Sequence, residues 1–204
     1  MKWILILLFA GTLVAGDGPR VVYTKSFPGS SPEFMEVTLD KAGNAEYRDK
    51  PDDELPLKFR LTGAETQEVF GLAERLEYFK HPLESALKVA FMGAKTLRYE
   101  NAGQKTEVKF NYFEEPAAQA LVDWFERMAE SAAHRIDLER AAKYDKLGVD
   151  KAIRLLGYAM ERKRLVGMEQ YLPMLDRIAN NETYMHTARA RAAELAEFIR
   201  GAKP

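Results

Sequence analysis

The three histidines of this chain are the first residues to consider for chemistry, because imidazole binds metals and transfers protons near neutral pH. His81, His134 and His186 are far apart in the sequence and fall in different predicted elements. No two of them have the spacing of a helical zinc motif, in which the histidines lie one turn apart. Glu182 and His186 are one turn apart, but an ordinary surface contact explains that pair better than a shared metal ligand. The histidines therefore predict no metal site.

Serines and clustered carboxylates give no stronger signal for catalysis. Ser30 and Ser31 lie in a loop shaped by Pro28 and Pro32, without the G-x-S-x-G pattern of a nucleophile elbow. The acidic residues 52–54 lack the alternating ligands and the glycine of a calcium loop. Cysteine is absent, which excludes a thiol nucleophile, a disulfide and a cysteine metal ligand. From the sequence we therefore assign no catalytic, cofactor-binding or metal-ligating residue, and no cofactor.

The charge balance argues against nucleic acid as a partner. The chain has 30 Lys and Arg against 31 Asp and Glu, for a formal net charge of −1, whereas nucleic-acid-binding domains are usually basic. Two basic spots stand out, residues 161–164 and the pair Arg189 and Arg191. Acidic residues are interleaved near both, so ion pairs one helical turn apart are their expected use, with an anionic partner as the alternative.

The first sixteen residues have the composition of a secretory signal peptide. Lys2 supplies a positive charge, Trp3–Ala10 is an unbroken apolar run, and small residues lead to a cleavage site near Ala15–Gly16. The run is shorter than the roughly 20 apolar residues that span a bilayer. We expect a mature chain that begins near Asp17 and is periplasmic or secreted. A cysteine-free exported chain of this size is typical of bacteria rather than of small eukaryotic secreted domains.

The elements that would position a binding site divide the mature chain near residue 115. Before that point, β-branched and aromatic residues alternate with polar ones. This alternation predicts strands at 34–39, 45–48, 57–61, 88–99 and 106–112. Thr62, with Glu65 three residues later, predicts a capping box for a helix that runs to about Phe79. We expect an antiparallel sheet with packed helices in residues 17–115.

A strand–strand–helix pattern occurs twice in this region. Lys58–Leu61 resembles Lys109–Tyr112, and the helix residues from Gln67 resemble those from Gln119. One explanation is an internal duplication of a ββα unit. The other is the apolar pattern that any two strand–helix junctions share. The sequence leaves both explanations open.

After residue 115, Ala, Leu, Arg and Glu recur at helical spacing. Pro116 is expected to open a long helix that continues to about Tyr144 and ends at Leu147–Gly148, with Trp124 and Phe125 anchoring it between the sheet and the C-terminal helices. Three further helices are predicted, at 150–160 with Asp150 as the cap, at 168–179 with an internal proline, and at 183–200. The predicted fold is therefore α+β, with a signal peptide (1–16), a sheet-plus-helix domain (17–115), and a long linking helix with a C-terminal helical region (116–204).

One face of the predicted sheet is expected to stay in water. Thr38, Arg98 and Lys109 alternate with apolar residues, so an open face and the edge strands would be available to a partner. Tyrosines on predicted strands could line such a face, although they more often serve in packing. These tyrosines are Tyr47, Tyr99 and Tyr112. The C-terminal helices show one apolar stripe each, which we expect internal packing to bury.

Four stretches resemble a family of uncharacterised exported proteins from acidobacterial-type soil bacteria. They are Phe27–Ser30, Phe79–Ser85, Tyr144–Val149 and Ala188–Ala193, spread over most of the mature chain. The family carries no known activity. The resemblance therefore implies a compartment outside the cytoplasm and no chemistry.

The function that the sequence favours is that of an exported binding or interaction protein rather than an enzyme. Its expected partner is another envelope or periplasmic protein, with no nucleic acid and no membrane span in the mature chain. The alternatives are a cell-envelope hydrolase that uses carboxylates and a structural envelope protein. A pocket with two carboxylates and buried polar partners would favour the hydrolase, and an exposed apolar patch would favour the binding protein.

Overall fold

Six antiparallel strands form one sheet, and packed helices follow it, which confirms the predicted α+β fold with a C-terminal helical region. The structure is a computed structural model and describes residues 18–201. The strands are β1 (Arg20–Ser26), β2 (Phe34–Asp40), β3 (Asn44–Arg48), β4 (Leu57–Arg60), β5 (Ala94–Asn101) and β6 (Gln104–Phe110). The helices are α1 (Gly63–Arg75), α2 (Pro116–Tyr144), α3 (Gly148–Glu161), α4 (Leu172–Ala179) and α5 (His186–Gly201). The predicted signal peptide lies outside the described residues.

The sheet has the order β4-β3-β2-β1-β5-β6, so β1 is a central strand. In β1, Val22 lies opposite Thr38 of β2 on one side and opposite Arg98 of β5 on the other. Sequence reasoning missed β1 because Val21, Val22 and Tyr23 are three consecutive apolar residues without alternation. All three are buried, Val21 and Tyr23 in the core under the helices and Val22 on the opposite face of the sheet, between Thr38 and Arg98.

Helices α1 and α2 cover one face of the sheet and form its core. Phe125 of α2 is fully buried, and its ring lies 5.7 Å from that of Tyr23. The indole N–H of Trp124 donates a hydrogen bond of 3.2 Å to Glu68 on α1. Both residues therefore anchor α2 within the sheet core. Their predicted place between the sheet and the C-terminal helices is wrong, because the helical core draws on α2 only from Leu138 onward.

The second core lies in the helical region. The second half of α2 packs there with α3, α4 and α5. Its fully buried members include Ile153, Leu156, Leu175 and Ile178. One long helix thus belongs to both cores, which couples the sheet to the helical region.

The predicted capping box of α1 is confirmed. Thr62 accepts a hydrogen bond from the main-chain N–H of Glu65, whose carboxylate accepts one from the N–H of Thr62. The helix ends at Arg75 rather than near Phe79, because Glu77–Phe79 form a separate 3₁₀ turn with positive φ angles.

The predicted end of α2 differs from the structure. The helix ends at Tyr144, and Gly148 is the first residue of α3 instead of a C-cap. The carboxylate of Asp145 accepts a hydrogen bond from the N–H of Gly148. Asp150 is not the cap; it lies in the first turn of α3 and pairs with Arg191 of α5 at 3.4 Å.

Two other boundaries differ from prediction. The helix predicted at 168–179 is a 3₁₀ turn, Met168–Tyr171, followed by α4. Pro173 therefore lies in the first turn of a helix, where the missing N–H of proline costs no hydrogen bond.

The strand predicted at 88–99 begins only at Ala94. Gly93 has a φ of +96°, and a side chain there would come within 2.9 Å of the Cβ of Phe27. The chain turns at this glycine, which leaves residues 88–93 outside the sheet.

Candidate functional site

The residues that the sequence singled out for chemistry do not come together. His81 is exposed beside Glu77 at 3.0 Å, His134 is half-buried on α2, and His186 is exposed at the start of α5. The hydroxyl of Ser30 lies 2.7 Å from two main-chain oxygens of its own loop, a role in turn structure. Within residues 18–201, no three His, Asp or Glu side chains are grouped to hold a metal ion.

Three arginines of the two predicted basic spots make tertiary contacts instead of pairs along one helix: Arg164, Arg189 and Arg191. Arg164 lies in the loop after α3 and reaches back to α2, where it pairs with Asp123 at 2.6 Å and with Glu130 at 2.9 Å. The hydrogen bond to Asp123, and then that to Glu130, raise the pKa of Arg164. Arg189 of α5 donates to the carbonyl of Ala179 in α4. These cations hold elements together and are not collected into an anion-binding surface.

The face of the sheet opposite the helices is polar, as the alternation of Thr38, Arg98 and Lys109 predicts. Many of its charged side chains pair with one another. The pairs include Arg48–Glu36, Lys58–Glu46, Arg98–Glu100 and Lys105–Glu107. Because these charges are balanced internally, the face offers a charged partner little net attraction.

The clearest exposed apolar feature is the segment between α1 and β5. Leu87, Val89, Phe91 and Met92 are between 39% and 62% exposed and lie within six consecutive residues. We call this stretch, Leu87–Met92, the apolar segment. Large apolar side chains scattered singly on a surface are normal, whereas several together mark a surface that contacts something else.

The backbone of the apolar segment is held in place from one side by the chain that follows β6. The side chain of Asn111 accepts a hydrogen bond of 2.7 Å from the N–H of Met92 and donates one of 3.1 Å to the carbonyl of Ala90. It binds this backbone as a neighbouring strand would. The N–H of Asn111 itself donates to the carboxylate of Glu84, so the segment is tied at both ends.

Further contacts fix the start of the segment. The main-chain N–H of Ser85 donates to the carbonyl of Tyr112 at 2.9 Å, and its hydroxyl donates to Glu114 at 2.8 Å. The same hydroxyl accepts from the N–H of Leu87 at 3.1 Å. The ring of Phe91 packs edge-on against Phe27, with centroids 6.1 Å apart. The apolar side chains thus project from an ordered backbone, which lowers the entropy cost of binding.

The helical region also exposes apolar side chains, but these lie outside the stripes that the sequence predicts to be buried. The predicted stripe of α3, including Ile153 and Leu156, is buried, but Leu155 and Tyr158 of α3 and Phe198 of α5 are about half exposed. These three belong to no predicted stripe. They are spread over two helices, whereas the apolar segment is continuous in sequence.

Sequence reasoning missed the apolar segment because its residues alternate like a strand. Only the positive φ of Gly93 and the hydrogen bonds from Asn111 separate it from β5. Of the three strand tyrosines, Tyr47 is buried in the sheet core, Tyr112 is partly buried beyond the end of β6, and Tyr99 reaches a groove beside α1.

Within the described residues 18–201, no helix is both long enough and apolar enough to cross a bilayer. Comparison with known proteins finds no family model that matches the chain and no significant match among curated proteins.

Proposed function

We propose that this protein is an exported binding protein that docks onto another envelope protein through the apolar segment. The observation that carries the proposal is the combination of exposure and order in Leu87–Met92. Four large apolar side chains face solvent on a backbone that Asn111, Glu84 and Ser85 hold in place. Removing such side chains from water stabilises a complex by roughly 25 cal/mol per Å² of apolar area buried.

The chemistry of the segment favours an apolar cleft on a protein over a lipid surface. Leu87, Val89 and Phe91 alternate with Lys88 and Ala90, the side-chain spacing by which extended peptides are read by pockets. A segment with one lysine lacks the basic cluster that strengthens binding to anionic lipid. The partner is therefore expected to present an apolar cleft to an extended stretch of chain.

The proposed export of the protein depends on its first sixteen residues. It is tested separately from the docking surface, by N-terminal sequencing. A short charged start, an apolar run and small residues support cleavage near Ala15–Gly16. The resemblance to exported proteins of acidobacterial-type bacteria supports the same compartment.

Site-specific photo-crosslinking tests the docking surface. A benzophenone amino acid replaces Phe91 in the exported protein, with Leu147 as the matched control because its side chain is exposed but lies in the turn between α2 and α3. Position 91 should crosslink a defined envelope protein that position 147 does not. A double variant, Leu87→Ser with Val89→Ser, should abolish the same complex without lowering the melting temperature, since both side chains are exposed.

A third crosslinker at Phe198 distinguishes the two exposed apolar regions. Crosslinks from position 198 alone would assign binding to the helical region and overturn the proposal. Crosslinks from position 91 to lipid, with no protein adduct, would show membrane contact in place of protein docking.

A further inference from the structure

A groove of about 810 Å³ follows one face of α1 from end to end. Lining residues such as Gly63, Gln67, Gly71 and Glu74 recur at helical spacing, so the helix forms one wall over its whole length. The opposite wall comes from Pro19, from the turn between β2 and β3, and from Tyr99 of β5. This volume is within the range of small-molecule sites.

The wall of α1 is open because two of its residues carry no side chain. A Cβ added to Gly63 or Gly71 would meet no atom within 4 Å. Gly71 lies in the middle of α1, where glycine disfavours the helix relative to alanine. No neighbouring atom is close enough to require glycine at position 71. The absence of a side chain there keeps the groove open along α1.

The opposite wall is rigid. The carboxylate of Asp40 accepts hydrogen bonds from the N–H groups of Ala42 and Asn44. The carbonyl of Pro19 accepts another from the N–H of Lys41. The groove therefore has two fixed walls before any ligand arrives.

Two stacked tyrosines close one end of the groove. The rings of Tyr78 and Tyr99, here called the tyrosine pair, lie 4.4 Å apart with an interplanar angle of 29°. Tyr78 is presented by a turn in which Glu77, Tyr78 and Phe79 all have positive φ. The buried ring of Phe79 and a hydrogen bond from the hydroxyl of Thr106 to the carbonyl of Tyr78 hold this turn.

Polar groups of both signs line the rest of the groove. Glu68 and Glu74 supply carboxylates, and Lys41 and Arg75 supply cations, so the charges balance. The indole of Trp124 donates to Glu68 and orients its carboxylate. Partial burial, and then the charge of Glu74, raise the pKa of Tyr78. The phenol therefore stays protonated and able to donate a hydrogen bond.

We propose that this groove binds a neutral saccharide, with the tyrosine pair against the C–H face of a sugar ring and Gln67, Glu68 and Glu74 on its hydroxyl groups. Aromatic rings are apolar on their faces and match the C–H side of a pyranose. Carboxylates and a carboxamide offer paired acceptors and donors for neighbouring hydroxyls. Balanced charge disfavours a strongly cationic or anionic ligand. This inference does not depend on the apolar segment, which lies elsewhere.

Tryptophan fluorescence tests the proposal. The chain has two tryptophans, Trp3 and Trp124. Trp3 lies in the predicted signal peptide, so Trp124 is the sole reporter in the mature protein from Asp17, and in a full-length protein once Trp3→Phe is introduced. Cellohexaose, chitohexaose and maltohexaose serve as probes, with spermidine as a cationic comparison. At least one hexasaccharide should change the Trp124 emission saturably, because contact with Glu68 disturbs its hydrogen bond to the indole.

Two variants locate the binding site. Gly71→Leu fills open space and favours helix, so the protein should stay folded while affinity falls at least about tenfold. Tyr99→Thr removes one ring of the tyrosine pair and keeps a residue that suits a strand, and it should also lower the saccharide affinity about tenfold. Ala133→Leu on the exposed face of α2, and Phe91→Ser in the apolar segment, should leave saccharide affinity unchanged.

The proposal is overturned if none of the three saccharides binds by fluorescence or calorimetry up to about 10 mM. It is also overturned if folded Gly71→Leu protein, verified by circular dichroism, binds as well as the parent. Binding of spermidine alone would identify a cation site instead. If Tyr99→Thr does not fold, the Gly71→Leu result decides.

Discussion

The phenol of Tyr171 donates a hydrogen bond of 2.6 Å to the main-chain oxygen of Ser131 in the middle of α2. Both residues are fully buried. The hydroxyl of Ser131 also accepts a hydrogen bond of 2.9 Å from the N–H of Val166. Burial raises the pKa of Tyr171, which keeps the phenol protonated as a donor. This point joins the chain after α3 to the helix that both cores share.

Substitutions that remove the hydrogen bonds between Ser131, Val166 and Tyr171 should destabilise the whole protein. Ser131→Ala leaves the buried N–H of Val166 without its partner and should cost about 1–3 kcal/mol of unfolding free energy. Tyr171→Phe removes one donor from a carbonyl and should cost about 1 kcal/mol. Urea unfolding measures both changes, with Tyr158→Phe on the exposed face of α3 as the control. A cost near zero for Ser131→Ala would mean that water satisfies the Val166 N–H.

Phe125→Ala should cost about 3–5 kcal/mol, the usual loss when a buried aromatic ring leaves a cavity. The ring is fully buried against Tyr23 under the sheet. The matched control is Phe198→Ala, since that ring is exposed on α5 and should cost less than about 1 kcal/mol. Thermal and urea unfolding give both values. A loss below about 1 kcal/mol for Phe125→Ala would refute the packing of α2 on the sheet.

Stability should fall as the pH drops below about 6.5, in part through His134. Burial lowers the pKa of His134, and the charges of Glu130 and Asp137 only partly oppose this effect. The unfolded chain therefore binds a proton at a pH where the folded chain does not, so acid favours unfolding. The effect is absent well above pH 6.5, where the histidine is neutral in both states.

Melting temperatures between pH 5 and pH 8 check this dependence on His134. His134→Gln should melt with a flatter pH dependence than the parent. His186→Gln, at an exposed position of α5, is the control and should follow the parent. Identical slopes for the parent and for His134→Gln would contradict the predicted role of burial.

A strong chelator should leave the melting temperature unchanged. The chain has no cysteine, and the histidines show no spacing of paired metal ligands. Thermal melts with and without EDTA provide the measurement. A drop of several degrees on chelation would reveal a structural cation, because a bound metal stabilises only the folded state.

N-terminal sequencing of the exported protein should find a mature chain that starts at Gly16 or Asp17. The small residues before Asp17 are those expected at a cleavage site. Ala15→Leu should slow processing, because signal peptidases require small residues there. A membrane-tethered chain that retains Met1 would contradict the prediction.

The sequence alone was sufficient to predict the secondary-structure elements that depend on local patterns. The capping box of Thr62 and Glu65, the alternation in β2 and β3, and the long helix from Pro116 all depend on neighbours within a few residues. Local hydrogen bonds and side-chain periodicity decide such elements. The polar face of the sheet also follows from alternation.

Only the tertiary structure decided what depends on partners distant in sequence. β1 has no alternation, and it becomes a central strand because Val22 pairs with Thr38 on one side and with Arg98 on the other. Residues 88–93 look like a strand, yet the turn at Gly93 and the side chain of Asn111 turn them into an exposed segment. Strand pairing and such hydrogen bonds join residues far apart in the chain, so a short window of sequence does not contain them.

The groove beside α1 is also formed by residues that are distant in the sequence. Its walls bring together Pro19, the turn after β2, one face of α1 and Tyr99. Each residue alone is ordinary, and the strand position of Tyr99 is more typical of packing than of binding. The stack with Tyr78 forms only because the left-handed turn of Glu77–Phe79 folds back under β5 and β6. Backbone geometry of that kind is set by the burial of Phe79, which the packing of the whole sheet determines.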